Sequence, residues 1–233
     1  MASISGIVRF AVASLLLCLA LVSCGDAPSP EPDTAATPFT RETELPDPEL
    51  DGPVSLNQAI RDRRSMRDFA AEPLPTELLG QLLWAGQGVT STDGKRASPS
   101  AGATYPLELY VVTPDSVIHY LPAVHAFEHR DSPDLRPRLQ EAAFDQAQVG
   151  TAAAVIVIAA VVERTADKYG DRARDYVIQE SGHAAQNILL EATAYGLAAV
   201  PVGGFGPAEV ADVLGLPADT EPLYLIPTGF PRA

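Results

Sequence analysis

Thiols are nearly absent from this 233-residue chain: Cys18 and Cys24 are its two cysteines. Everything after position 24 therefore lacks the means to form disulfides, thiolate nucleophiles or cysteine metal sites. Positive charge is also scarce. Sixteen Lys+Arg stand against 30 Asp+Glu, giving a net charge of -14 and a pI near 4.5, which excludes a basic nucleic-acid-binding surface. No GxSxG elbow occurs, which argues against a hydrolase nucleophile at Ser181-Gly182-His183. The glycines of Gly203-Gly204-Phe205-Gly206 miss the dinucleotide fingerprint, because Glu209 stands where its last glycine belongs. What remains is 46% hydrophobic and 20% charged, the balance of a folded globular domain, and no internal repeat divides it.

The N-terminus reads as an export signal. Residues 7–22 carry one charge, Arg9, and then an apolar run too short to span a bilayer comfortably. The run closes on Leu21-Val22-Ser23-Cys24-Gly25, which resembles a bacterial lipobox, so Cys24 is the expected lipidated first residue of the mature chain. The same residues also fit an ordinary signal peptide with an incidental cysteine. From Gly25 to Val54, seven prolines and eight acidic residues accompany the single Arg41. Such a stretch is expected to remain a solvated tether, holding the domain on the order of 30 Å or more from a membrane. Residues 1–23 are thus expected to be a signal peptide, 24–54 a lipidated tether and 55–233 the folded domain.

Within that domain, Ser55-Leu56-Asn57-Gln58 has the form of a capping box opening a helix toward Arg64. Thr76 is the expected cap of a second helix, with Leu78, Leu79, Leu82 and Leu83 at helical spacing and Gly86 and Gly88 at its end. Leu107–Thr113 and Val117–Leu121 read as a hairpin around Pro114-Asp115-Ser116. Residues 152–162 (AAAVIVIAAVV) are uniformly apolar and β-branched, as a strand buried on both faces requires. The longest helix is expected from about Asp171 to Tyr195, stopped by Gly196. A strand over 197–202, a short helix opened by Pro207 and a last strand near 223–226 complete the pattern. Helices and strands alternate irregularly, which predicts an α+β sandwich.

Two segments invite chemistry. Arg61, Arg63, Arg64 and Arg67, with Ser65 among them, gather guanidiniums and a hydroxyl at a helix end of an otherwise acidic protein. Arginine forks match phosphate oxygens bidentately, so the group suits one phosphate; it equally fits a solvated helix end paired to Asp62 and Asp68. Pro99-Ser100-Ala101-Gly102-Ala103-Thr104 is a run of small residues through which backbone could approach a flat ligand. His125 and His129 have a metal-compatible spacing, yet their Pro-bounded surroundings argue against a metal site.

Arg63–Phe69, PSAGATYP at 99–106, DKYGDRARDY at 167–176, ESGHAAQNILLEATAYGLAAVPVGGF at 180–205 and EPLYLIPTGFP at 221–231 together resemble the nitroreductase superfamily. The branch they resemble most is that of the SagB-type dehydrogenases, which includes azoline oxidases. The resemblance implies an FMN-dependent oxidoreductase of α+β fold, with a mixed, mostly antiparallel sheet, a long central helix and a homodimer holding its flavins at the subunit interface. It implies that Arg63, Arg64, Ser65, Arg67 and Arg232 hold the FMN phosphate. Pro99, Ser100, Ala101 and Gly102 would line the isoalloxazine ring, and Gly203 and Gly204 would offer backbone N–H groups near N5 and O4. Lys168 and Tyr169 match a catalytic Lys-Tyr pair of the azoline oxidases, where a base beside the flavin would remove a proton; as residues alone, they also fit a solvated loop. The expected substrate is a small molecule or a peptide, with NAD(P)H or another donor supplying electrons.

Export constrains this reading. NAD(P)H is scarce in the cell envelope, facing the periplasm or the outside, so the natural donor there is open. A flavin-binding electron-relay module without turnover is the alternative that the same resemblance allows.

Overall fold

The computed structural model describes residues 38–232. The signal-peptide segment, Cys24 and the first part of the acidic stretch lie outside the described residues. Among those described, no helix is long and apolar enough to cross a membrane.

Seven strands form one sheet in the order β1-β4-β3-β2-β5-β7-β6, every pairing antiparallel. They are β1 (Arg41–Glu44), β2 (Leu107–Val112), β3 (Ser116–Leu121), β4 (Ala126–Asp131), β5 (Ala154–Ala160), β6 (Ala198–Ala199) and β7 (Glu221–Gly229). The helices are α1 (Leu56–Asp62), α2 (Thr76–Gln87), α3 (Arg136–Ala142), α4 (Ala147–Thr151), α5 (Glu163–Tyr169), α6 (Ala173–Ala194) and α7 (Pro207–Leu214). The β2–β3 hairpin and the α+β class are as the sequence predicts.

β5 runs through the middle, and all seven of its residues are buried. Ile156 and Ile158 face one core, against Leu82 and Leu83 of α2 and Ala184 and Ile188 of α6. Val155 and Val157 face the other, against Leu139 of α3, Val149 of α4 and Val210 of α7. Alternating side chains of one strand thus hold two helical layers on opposite faces, which is why that strand must be apolar throughout.

Three expectations are corrected. The stretch read as tether supplies an edge strand: β1 pairs with β4, Thr43 opposite Phe127. Leu45 behind it is buried against Gly80, so one well-placed leucine and a backbone ladder dock a segment whose acidic, proline-rich composition hides them. Its outward Glu42 and Glu44 are exposed, blunting the edge against further pairing. Thr76 is the first residue of α2 rather than its cap; Pro75 holds that position without a side-chain bond, its fixed φ suiting the helix entry. At α1, Ser55 caps the Gln58 amide at 3.2 Å, but the Gln58 side chain turns to Asp62 instead of completing the box.

Candidate flavin site

The segment after α1 is held by backbone. Met66 N–H donates to Ala199 O, Ala70 N–H to Phe230 O and Arg232 N–H to Asp68 O, and Phe69 is buried against Gly229. The Arg63–Arg67 loop and Arg232 are therefore gathered at the β6 side of the sheet, by the Gly229 end of β7. Arg61 is neutralised by Asp62 at 2.8 Å. Arg63, Arg64, Arg67 and Arg232 form no ion pair with a carboxylate among the described residues. Arg64 instead donates to Arg61 O and Arg63 O at 3.0 and 2.7 Å, Arg67 to Ser65 O at 3.4 Å and Arg232 to Phe69 O at 3.3 Å. In a chain of net charge -14, four guanidiniums without a carboxylate, three of them resting on carbonyls, form an arrangement suited to an anion.

Gly203 and Gly204 follow Val202, which bridges to Leu225 of β7. Both glycines are exposed, and neither amide donates a hydrogen bond among the described residues. The Gln146 side chain braces the turn by donating to Gly204 O at 2.7 Å.

The small-residue loop has an unusual backbone. Gly102, Ala103 and Tyr105 all take positive φ, at 63°, 55° and 47°; the two non-glycines cost roughly 1–2 kcal/mol each. Buried Glu180 of α6 accepts from Ser100 Oγ at 3.1 Å and from Ala101 N–H at 2.7 Å. Burial raises its pKa, more than the Ala101, Ser100 and His183 contributions lower it. Thr104 Oγ1 is engaged with Ala101 O and Thr165 Oγ1. Lys168 Nζ lies 3.4 Å from Gly102 O, and the Tyr169 ring meets Tyr176 edge-on, centroids 5.0 Å apart.

Two groups of expected site residues thus emerge. Arg63, Arg64, Ser65, Arg67 and Arg232 sit at the Gly229 end of β7. Pro99, Ser100, Ala101, Gly102, Lys168 and Tyr169 sit at its other end, because Leu107, just after the loop, pairs with Ala160, and Ala160 with Glu221. Eight residue steps of extended strand separate those ends, roughly 26 Å, which is beyond the reach of one mononucleotide. Glu180 was not singled out by the sequence; an acidic residue among the small and apolar residues of α6 was the signal available.

The nitroreductase family model matches residues 60–230. The chain belongs to the nitroreductase family. A Methanocaldococcus jannaschii protein that carries the nitroreductase name is 39% identical over 196 residues, covering 82% of this chain and 96% of that one. The solved structure of a nitroreductase-named Ralstonia eutropha protein superposes with a TM-score of 0.75 at 28% identity, covering 86% of this chain and 94% of that one. The NADPH:FMN oxidoreductase of Vibrio harveyi, solved with NAD+, gives a TM-score of 0.59 at 26% identity, covering 76% and 69%. The nitroreductase-like α+β fold is thereby established, together with membership of an oxidoreductase family.

A half-buried polar network adjoins the second group, since Arg164 Nη1 donates to Tyr105 O at 3.3 Å. His119 bonds Glu108 at 2.8 Å and Glu128 at 2.9 Å through its two ring nitrogens, and Arg164 pairs with Glu108 at 2.5 Å. Burial pushes the His119 pKa down, but the hydrogen bonds and charges of the two carboxylates outweigh it and the net shift is upward. Burial likewise raises Glu108, while His119 and Arg164 carry it below its ordinary value. Phe39 packs on Tyr110 and His119. His125, considered above for metal binding, sits between Tyr120 OH and Pro46 O, 2.9 Å from each.

Proposed function

We propose that this nitroreductase-family chain is an FMN-dependent oxidoreductase of the SagB-like type, working as a homodimer. The residues present fit the flavin. The four guanidiniums without carboxylate partners suit a phosphate dianion, which they would grip through charge-assisted hydrogen bonds. The free N–H groups of Gly203 and Gly204 suit the N5/O4 edge of the ring, where fixed dipoles aid reduction without reorganising. FMN, when bound, would exchange hydride with substrate at N5.

The observation that carries the dimer is the separation along β7. A phosphate grip at one end and a ring wall at the other build one pocket when a second copy brings its Pro99–Gly102 loop to the first copy's arginines. Exposed Leu56 and Ile60 on α1 and Ile178 on α6, helices that pack on one another, support an apolar contact between copies.

Lys168 and Tyr169 stand over the ring wall. Lys168 would take up or return a proton at Nζ as hydride moves, and Tyr169 would orient it. The substrate in this reading is a small molecule or a peptide-derived ring. NADPH is a candidate donor, on the strength of the Vibrio harveyi relative's name. The lipobox-like segment ending at Cys24 supports export and a lipid anchor, which would favour a donor present in the envelope or direct oxidation of the substrate.

The test is flavin binding by the full chain, purified in detergent. One FMN per chain, lost in Arg64→Ala/Arg67→Ala, is the expected result; no flavin absorbance after incubation with FMN overturns the reading.

A further inference from the structure

We infer that Glu180 is the positioning residue that sets the shape of the ring-wall loop, an inference that rests on the flavin reading above. The loop is poorly suited to holding itself. Three of the four residues from Gly102 to Tyr105 have left-handed backbone, two of them with a Cβ to accommodate. Two polar side chains seven residues apart on α6 reach it. Asn187 donates to Ala97 O and Ser98 Oγ at 3.4 and 3.3 Å, fixing the entry. Glu180 fixes the turn itself.

The geometry at Glu180 is a convergence. Ser100 Oγ and Ala101 N–H both donate to the same oxygen, Oε1. Ser100 Oγ in turn accepts from Tyr105 N–H at 2.9 Å. A relay therefore runs from Tyr105 through Ser100 to Glu180 and ties the two ends of the strained turn to one buried atom. In the flavin reading, Ser100, Ala101 and Gly102 present backbone to the ring, while Glu180 is 4% exposed and lies behind them. It acts through the loop. Because a single acceptor oxygen serves both donors, the amide of glutamine can replace the carboxylate, whereas alanine leaves the Ala101 and Ser100 donors without a partner.

The experiment measures FMN affinity, turnover and the visible spectrum of bound flavin for the full chain and its Glu180 variants. Glu180→Gln is expected to retain wild-type affinity and band positions. Glu180→Ala is expected to weaken binding and turnover about tenfold or more, the scale on which small misplacements act, and to shift the bound-flavin bands while the far-ultraviolet dichroism stays native. Should Glu180→Ala fail to fold, Ser100→Ala carries the test, since it breaks the same relay and must shift the bands. Wild-type affinity and spectrum in a folded Glu180→Ala or in Ser100→Ala, or a Glu180→Gln as defective as Glu180→Ala, overturns the inference. No FMN on the wild type overturns the flavin reading beneath it and the inference with it.

Discussion

A methyl group placed on Gly102 would fall 2.6 Å from Lys168 Nζ and 2.8 Å from the Tyr169 hydroxyl. The loop and the Lys-Tyr pair are therefore in contact, and Gly102 is the point of closest approach. Gly102→Ala adds strain at φ +63°, costing roughly 1–2 kcal/mol of stability. It also crowds Lys168 at Nζ and Cδ and Tyr169 at its hydroxyl, so both side chains must shift. The expected outcome is a small fall in the urea midpoint with a larger fall in kcat, measured on one preparation; equal retention of both would detach the pair from the site.

The arginines should act on the phosphate and leave the fold alone. Arg64 and Arg67 are exposed, so alanine at either changes stability by no more than about 0.5 kcal/mol. Losing one charge-assisted hydrogen bond, at about 1.5–3 kcal/mol, weakens FMN binding roughly 10- to 100-fold. Riboflavin, which has no phosphate, should bind each variant as it binds the parent. Calorimetric titration with both ligands checks this.

Leu45 separates a docked strand from a solvated tether. Its side chain is 8% exposed, so Leu45→Ala should cost about 2–5 kcal/mol. Leu50, 78% exposed five residues on, should tolerate alanine. Thermal unfolding of the two variants decides between the two descriptions of this stretch.

The His119 network predicts a pH window. His119 is raised, so its contribution is fully present below the ordinary histidine range, near 6.5, and is lost as pH rises through its folded-state value. Glu108 is lowered, so its contribution is present above the ordinary carboxylate range and lost as pH falls through its depressed value. Urea midpoints should therefore fall more steeply as pH rises above about 6.5 for the parent than for His119→Gln. Parallel curves would remove the network from the stability of the fold.

How much of this the sequence carried depends on what each element needed from its own residues. β5 was legible because burial on both faces demands an unbroken apolar run. α6 was legible because Gly196 ends it with φ +69°. β1 and β4 were not: their residues, Arg41–Glu44 and Ala126–Asp131, are largely polar, and they are strands because they find each other across the sheet. The arginine cluster and the Pro99–Gly102 loop could be read as motifs, but chain order says nothing of the length of β7 between them. Glu180 was hidden for a related reason, since a carboxylate on a helix reads as solvated until the donors facing it are known.

Subunit complementation tests the central claim most directly. Arg64→Ala/Arg67→Ala removes the phosphate grip, and Ala101→Trp fills the ring wall, so neither variant alone should hold FMN. If each pocket combines one chain's arginines with the other chain's loop, a mixed dimer has one pocket carrying both lesions and one carrying none. Unfolding and refolding an equimolar mixture should then restore flavin to about a quarter of the wild-type sites, the random-pairing share for a symmetric dimer. A mixture that stays as empty as its two parents would contradict a flavin site built from two copies of this chain.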